Sequence, residues 1–205
     1  MSEQDLHEEM RPIPRSPTQE EIQLAKSLFK DSVRYEKVKI YNAKYVGFQQ
    51  DETGMTPFGE MWIVGAKTYR ENYGIADVPL QAFFIHEMVH VWQYQNNVLS
   101  VLGSAIEETI TLGLGNYMIM AYPYKLEPNK DLMDYRMEQQ GAIMENYYRY
   151  KNKVDFRLTY VQNTERGGAL MKLHEDVLKK FLQDPHYARN YAYRNLRSTP
   201  GFGDR

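Results

Sequence analysis

"FFIHEMVHVWQYQ", residues 83–95, sets two histidines four positions apart in a stretch that is otherwise largely apolar. Residues four apart on a helix lie one above the other, so His86 and His90 can direct two imidazoles at one point. Glu87 is offset by one residue and can reach a water at that point without taking a ligand position. H-E-x-x-H is therefore, in mechanical terms, two metal ligands and a general base. Leu80, Phe83, Phe84, Val91 and Tyr94 supply an apolar stripe that would keep such a site dry and rigid. The competing reading is three polar residues that happen to share a core helix.

Outward from this helix the chain divides simply. Residues 1–17 are charged and carry Pro12, Pro14 and Pro17, which reads as an extended lead-in. Thr18 and Glu21 have capping-box spacing, and Ile22, Ala25 and Phe29 recur at helical intervals, predicting a helix over 18–30. "VKIYNAKYVGF" (38–48) and "EMWIVGA" (60–66) read as strand material, with turn signals at Gly54, Pro57 and Gly59 between them. Further helices are expected near 80–97, 103–121, 136–152 and 168–182, with "PYKLEPNKDLMDY" as a long connection and 184–205 as a C-terminal tail. Strands first and helices afterwards is an α+β ordering. One domain spanning 1–205 is expected, a mainly helical body with a small antiparallel sheet.

Composition removes several function classes. A formal charge of −2 and a pI near 6.2 give no basic excess for a nucleic-acid partner. No apolar run reaches the roughly 18 to 20 residues that span a bilayer, and the acidic, polar start "MSEQDLHEEMRPIPRSP" is unlike a signal peptide, so synthesis in a cytoplasm is expected. With no cysteine, any metal must be held by histidine and carboxylate. The 17 tyrosines suggest phenol-rich walls.

A catalytic zinc normally has three protein ligands and one open position. The metzincin extension would need Gly at 93 and His at 96, where this chain has Gln93 and Asn96, so that route is closed. His7, His174 and His186 fit no three-histidine layout. A carboxylate is the remaining type, with Glu107 or Glu108 on the next helix and Glu138 or Glu145 on the one after it. Spacing alone leaves the choice among them open.

"FIHEMVHVWQYQ" together with "DYRMEQQGAIMENYY" from Asp134 resembles the zinc metallopeptidases fused to, or encoded beside, Vgr and Rhs proteins of bacterial type VI secretion systems. The matching features are Trp92-Gln93 after the second histidine and Glu138-Gln139-Gln140 nearly fifty residues on. A looser likeness runs through "LAKSLFKDSVRYEKVKIYNAKY" and "MTPFGEMWI". The resemblance implies a zincin-like metallopeptidase of the gluzincin kind, with Zn2+ held by His86, His90 and Glu138. It also implies a secretion effector toxin reaching the target cell periplasm, a Vgr/Rhs-type delivery protein and a cognate immunity protein. Ala142 and Asn146 stand where the family pattern often carries acids, so a carboxylate orienting a ligand imidazole is either absent or replaced by Glu145 or Gln139.

These parts suit hydrolysis of a peptide or amide bond, with Glu87 passing a proton from water to the departing amine. A second donor for the oxyanion would come from His174, Tyr135 or Tyr124. His174 shares an inward helical face with Leu170, Val177, Leu178 and Phe181, where a satisfied core histidine is the ordinary reading. "GEMWIVG" is the expected edge strand for substrate. Trp92 and Tyr94 are expected as core packing, and "NYYRYK" (146–151) as cover for its helix. Two rival functions remain: a non-catalytic adaptor on the secretion spike, and an amidase of peptidoglycan stem peptides.

Overall fold

Glu21 explains how the chain's beginning is fastened. It completes the capping box of helix α1 (Gln19–Phe29), accepting from the Thr18 amide at 2.8 Å, and it takes both Arg15 Nη atoms at 2.8 Å and the Tyr73 amide at 2.9 Å. One buried carboxylate thus joins the lead-in, α1 and the turn Tyr73–Ile75. The computed structural model describes residues 12–98, 122–154 and 160–191. The helix expected over 103–121, with Glu107 and Glu108, lies outside the described residues, as does His7.

Three short strands follow α1: β1 (Lys39–Tyr41), β2 (Thr53–Met55) and β3 (Glu60–Val64). Their order is β1-β3-β2, with β1 parallel and β2 antiparallel to β3, so the sheet is mixed where an antiparallel one is expected from sequence. Parallel pairing arises because β2 and its turns lie between β1 and β3 in the chain, bringing β3 back alongside β1 in the same direction. Arg15 bridges Ile40 on the far side of β1. Because β3 is central, "GEMWIVG" cannot add a substrate strand; β2 lies at the edge instead. Its residues were legible only as a turn, since Gly54 is a breaker in isolation.

Helix α2 (Val78–Gln95) starts at Asp77, whose side chain accepts from the Leu80 amide at 3.2 Å, and ends at Asn96 with Asn97 in the left-handed conformation. Of the twelve positions from Ala82 to Gln93 all but the half-buried Phe83 are buried, as for a helix buried all round. It packs most extensively on α3 (Met137–Lys151). Helix α4 (Gly167–Gln183) buries Leu170, His174, Val177, Leu178 and Phe181 on one face. Phe181 meets Trp92 and Phe29 edge-on, at centroid distances of 5.1 and 5.6 Å. Residues 184–191, expected as the start of a tail, fold into the turn Pro185–Ala188, and Trp92 Nε1 donates to the Pro185 carbonyl at 3.1 Å. None of the described helices is long and apolar enough to cross a membrane.

Candidate metal centre

α2 and α3 bring His86, His90 and Glu138 together, each with one ligand atom within 4.8 Å of the others. Glu138 Oε2 lies 3.3 Å from His86 Nε2 and 3.2 Å from His90 Nε2. Donors arranged tetrahedrally about a zinc at about 2.0 to 2.1 Å stand about 3.3 to 3.4 Å apart, so both carboxylate–imidazole spacings match those of ligands to one zinc. All three side chains are buried, and two imidazoles with one carboxylate form a donor set used by hydrolytic zinc sites.

Each imidazole is aimed from behind. His86 Nδ1 lies 3.2 Å from Glu145 Oε2, and Arg149 Nη2 donates to the other Glu145 oxygen at 2.6 Å. His90 Nδ1 donates to Gln93 Oε1 at 2.9 Å; the Gln93 amide nitrogen donates to Gln140 Oε1 at 2.9 Å and to the Met137 carbonyl at 3.1 Å. A protonated Nδ1 leaves the Nε2 lone pair free for a metal. This accounts for the sequence signature: Gln93 fixes one ligand, Gln140 fixes Gln93, and Trp92 is core packing. Gln139 has a different task, donating to the Pro123 carbonyl and accepting from the Arg136 amide. The orienting carboxylate is thus Glu145.

The cluster is strongly coupled. Burial lowers the pKa of His86, but hydrogen bonds to Glu138 and Glu145 outweigh it and raise the group to about 10. Burial likewise opposes, and the Glu138 charge reverses, the shift of His90, which is upward. Against its own burial, Glu138 is held well below the usual carboxylate range by His90 and His86, and Glu145 is lowered by His86 and Arg149. A proton and a metal ion compete for the same imidazole nitrogens.

Glu87 is buried beside this cluster, and Thr56 Oγ1 donates to its Oε2 at 2.5 Å. Gly54 gives the other oxygen room: a Cβ there would stand 2.5 Å from Glu87 Oε1 and 2.7 Å from Phe83 Cζ. Gly141 does the same for His86, since a Cβ at that position would be 2.7 Å from both Cε1 and Nε2 of the ring. Neither Thr56 nor Gly141 stood out from sequence. A glycine inside the α3 pattern was the one available signal, because such a residue costs helix stability and usually marks a close approach.

Other expected participants are hydrogen-bonded to groups outside the cluster. His174 is fully buried; Nδ1 donates to the Leu170 carbonyl at 2.9 Å and Nε2 is 3.3 Å from Tyr124 Oη. Burial lowers its pKa to about 4, and neither nitrogen bonds to a group of the cluster, as for a satisfied core histidine. Tyr124 Oη also accepts from Asn146 at 2.7 Å, while Tyr135 Oη donates to the Lys125 carbonyl and accepts from the Glu127 amide. His186 is engaged with Asp184. Among the described residues, Tyr122 stacks on His86 at 5.8 Å, with Tyr160 4.9 Å beyond it. Tyr147 and Tyr148 are buried, and Tyr148 Oη donates to Gln81 Oε1 on α2 at 2.7 Å. Tyr94, expected in the core, is 45% exposed.

Comparison with known proteins adds a context. The chain is homologous to the effector domain of a type VI secretion spike protein. Over 139 residues it is 36% identical to the type VI secretion system spike protein VgrG2b of Pseudomonas aeruginosa, a match covering 68% of this chain and 13% of that protein, so it corresponds to a small part of the relative. The solved effector domain of Pseudomonas aeruginosa VgrG2b superimposes with a TM-score of 0.59 and 29% identity, covering 80% of this chain and 82% of the other. No protein-family model matches the sequence.

Proposed function

We propose that the chain is a zinc-dependent peptidase with a zincin-like, gluzincin-type α+β fold, acting as a type VI secretion effector in the periplasm of a target cell. The observation that carries this reading is the convergence of His86, His90 and Glu138 at zinc-compatible distances, with Glu87 held beside them by Thr56. Bound zinc would supply a Lewis acid and a water of lowered pKa. Glu87 takes a proton from the attacking water and hands it to the departing amine nitrogen. Oε2 is tied to Thr56, which leaves Oε1 as the oxygen for that transfer. The edge strand β2, whose Gly54 abuts Glu87, is the place for an extended peptide to lie.

Homology to a spike effector domain supports delivery by a Vgr-type protein, and a toxin acting on a bacterial envelope requires a cognate immunity protein in its producer. Zinc content and hydrolysis, measured on wild type and on Glu87→Gln, test the chemistry. The expected result is equal zinc in both and cleavage by wild type alone. Cleavage retained by Glu87→Gln would overturn the mechanism, and stoichiometric zinc with no hydrolysis by wild type would favour the adaptor. Release of stem peptides from purified sacculi, with denatured protein left intact, would make the enzyme a peptidoglycan amidase.

A further inference from the structure

The stripe of α2 that carries Glu87 and His90 continues to an exposed aromatic pair. Phe83, Glu87, His90 and Tyr94 are spaced by four, three and four residues and so share one side of the helix. The segment 54–59 runs along that same stripe. Gly54 lies against Phe83 and Glu87, Thr56 bonds Glu87, and a Cβ on Gly59 would stand 2.7 Å from Tyr94 Cδ1. At the end of the stripe Phe58 and Tyr94 meet edge-on at 6.5 Å and 84°, with 50% and 45% of their surfaces exposed.

Phe58 adopts φ 53 and ψ 25, a left-handed conformation that is a genuine outlier for a bulky side chain, and Gly59 follows at φ 75. Strain of this kind persists where the surroundings impose it and collects at ligand-binding sites. Here it holds a ring out of the core and edge-on to Tyr94.

We propose that Phe58 and Tyr94 form a specificity subsite for a large apolar or aromatic side chain of the peptide substrate. Tyr94 is seven residues beyond Glu87 and four beyond His90, or about 6 to 10 Å along the helix. An extended chain covers that in two to three residues at about 3.3 Å each. The side chain recognised is therefore the second or third from the scissile bond. The inference rests on the peptidase reading above and adds a substrate preference that the metal cluster does not dictate.

Hydroxamates separate the two, since they bind an active-site metal without turnover. Acetohydroxamate probes the zinc-loaded centre alone; peptide hydroxamates bearing Phe or Ser at the second and third residues, on either side of the hydroxamate, probe the subsite. In calorimetry on the zinc-loaded full chain, the best-placed Phe probe should bind at least about tenfold more tightly than its Ser counterpart. That advantage should vanish in Phe58→Ala and Tyr94→Ala, survive in Tyr94→Phe, and leave acetohydroxamate affinity unchanged throughout. No advantage for any Phe probe in wild type, or an advantage kept by both alanine variants, would overturn the subsite. Failure of acetohydroxamate to bind wild type would instead overturn the metal reading, and the subsite with it.

Discussion

One oxygen of Glu138 serves both histidines, and each histidine is aimed by a side chain that the metal would never touch. Such partners govern affinity through orientation. Gln93→Leu should weaken zinc binding by about 10- to 100-fold in a competitive chelator titration. It should also destabilise the fold by about 1 to 3 kcal/mol, because Gln140 Oε1 and the Met137 carbonyl lose a buried donor. Thr56 acts on the base and not on the ligands, so Thr56→Val should leave zinc stoichiometry intact and lower kcat by about tenfold to a hundredfold, with KM little changed. Thr56→Ser, which keeps the hydroxyl, should restore most of the rate. The histidines and Glu87 were readable because their spacing on a helix is itself the chemistry. Glu138 was readable only through a family likeness, since nothing in a linear chain says where a later helix returns. Thr56 was not readable at all: a threonine before a Pro-Phe-Gly turn has no local property that names Glu87 as its partner.

Helices were the legible elements because each repeats its apolar face. The exact packing of one helix on another was not, and the crossing of α2 with α3 is where function depends on it. Gly141 sits where the two approach, with space for no side chain beside the His86 ring. Gly141→Ala sets two effects in opposition. Helix propensity favours alanine by about 1 kcal/mol, whereas the added methyl would intrude on the very nitrogen that binds metal. A buried ring fixed by Glu145 has little freedom to retreat. The expected outcome is unchanged helix content by circular dichroism with zinc occupancy sharply reduced. Full occupancy in this variant would show that α3 can shift, and that the α2–α3 contact is softer than its burial suggests. The sheet was misread for a related reason. β2 is three residues long with a glycine at its centre, and its strand character comes from pairing with β3, not from its own composition.

For the whole molecule, the buried ionisable groups tie stability, pH and metal together. In the metal-free protein the pKa of His86 is raised from 6.5 to about 10, so its contribution is complete below about pH 6.5 and is lost as pH rises through about 10. His90 acts in the same direction. Glu138 and Glu145 are lowered from 4.5, and their contribution is present above that value and lost as pH falls. His174, lowered from 6.5 to about 4, contributes fully above 6.5 and progressively less toward acid. Metal-free protein should therefore be most stable near pH 6.5 and decline on both sides. Zinc requires neutral imidazoles, so its uptake releases protons and strengthens with pH, and binding to the folded state alone raises stability. Thermal melts at pH 6 and 9, with and without saturating zinc, should show a larger zinc-induced rise in Tm at pH 9. The alkaline limb should flatten when zinc is present and return on chelation. A rise in Tm that is equal at both pH values would mean that the proton on His86 does not compete with the metal, and that the ion binds at some other group of the protein.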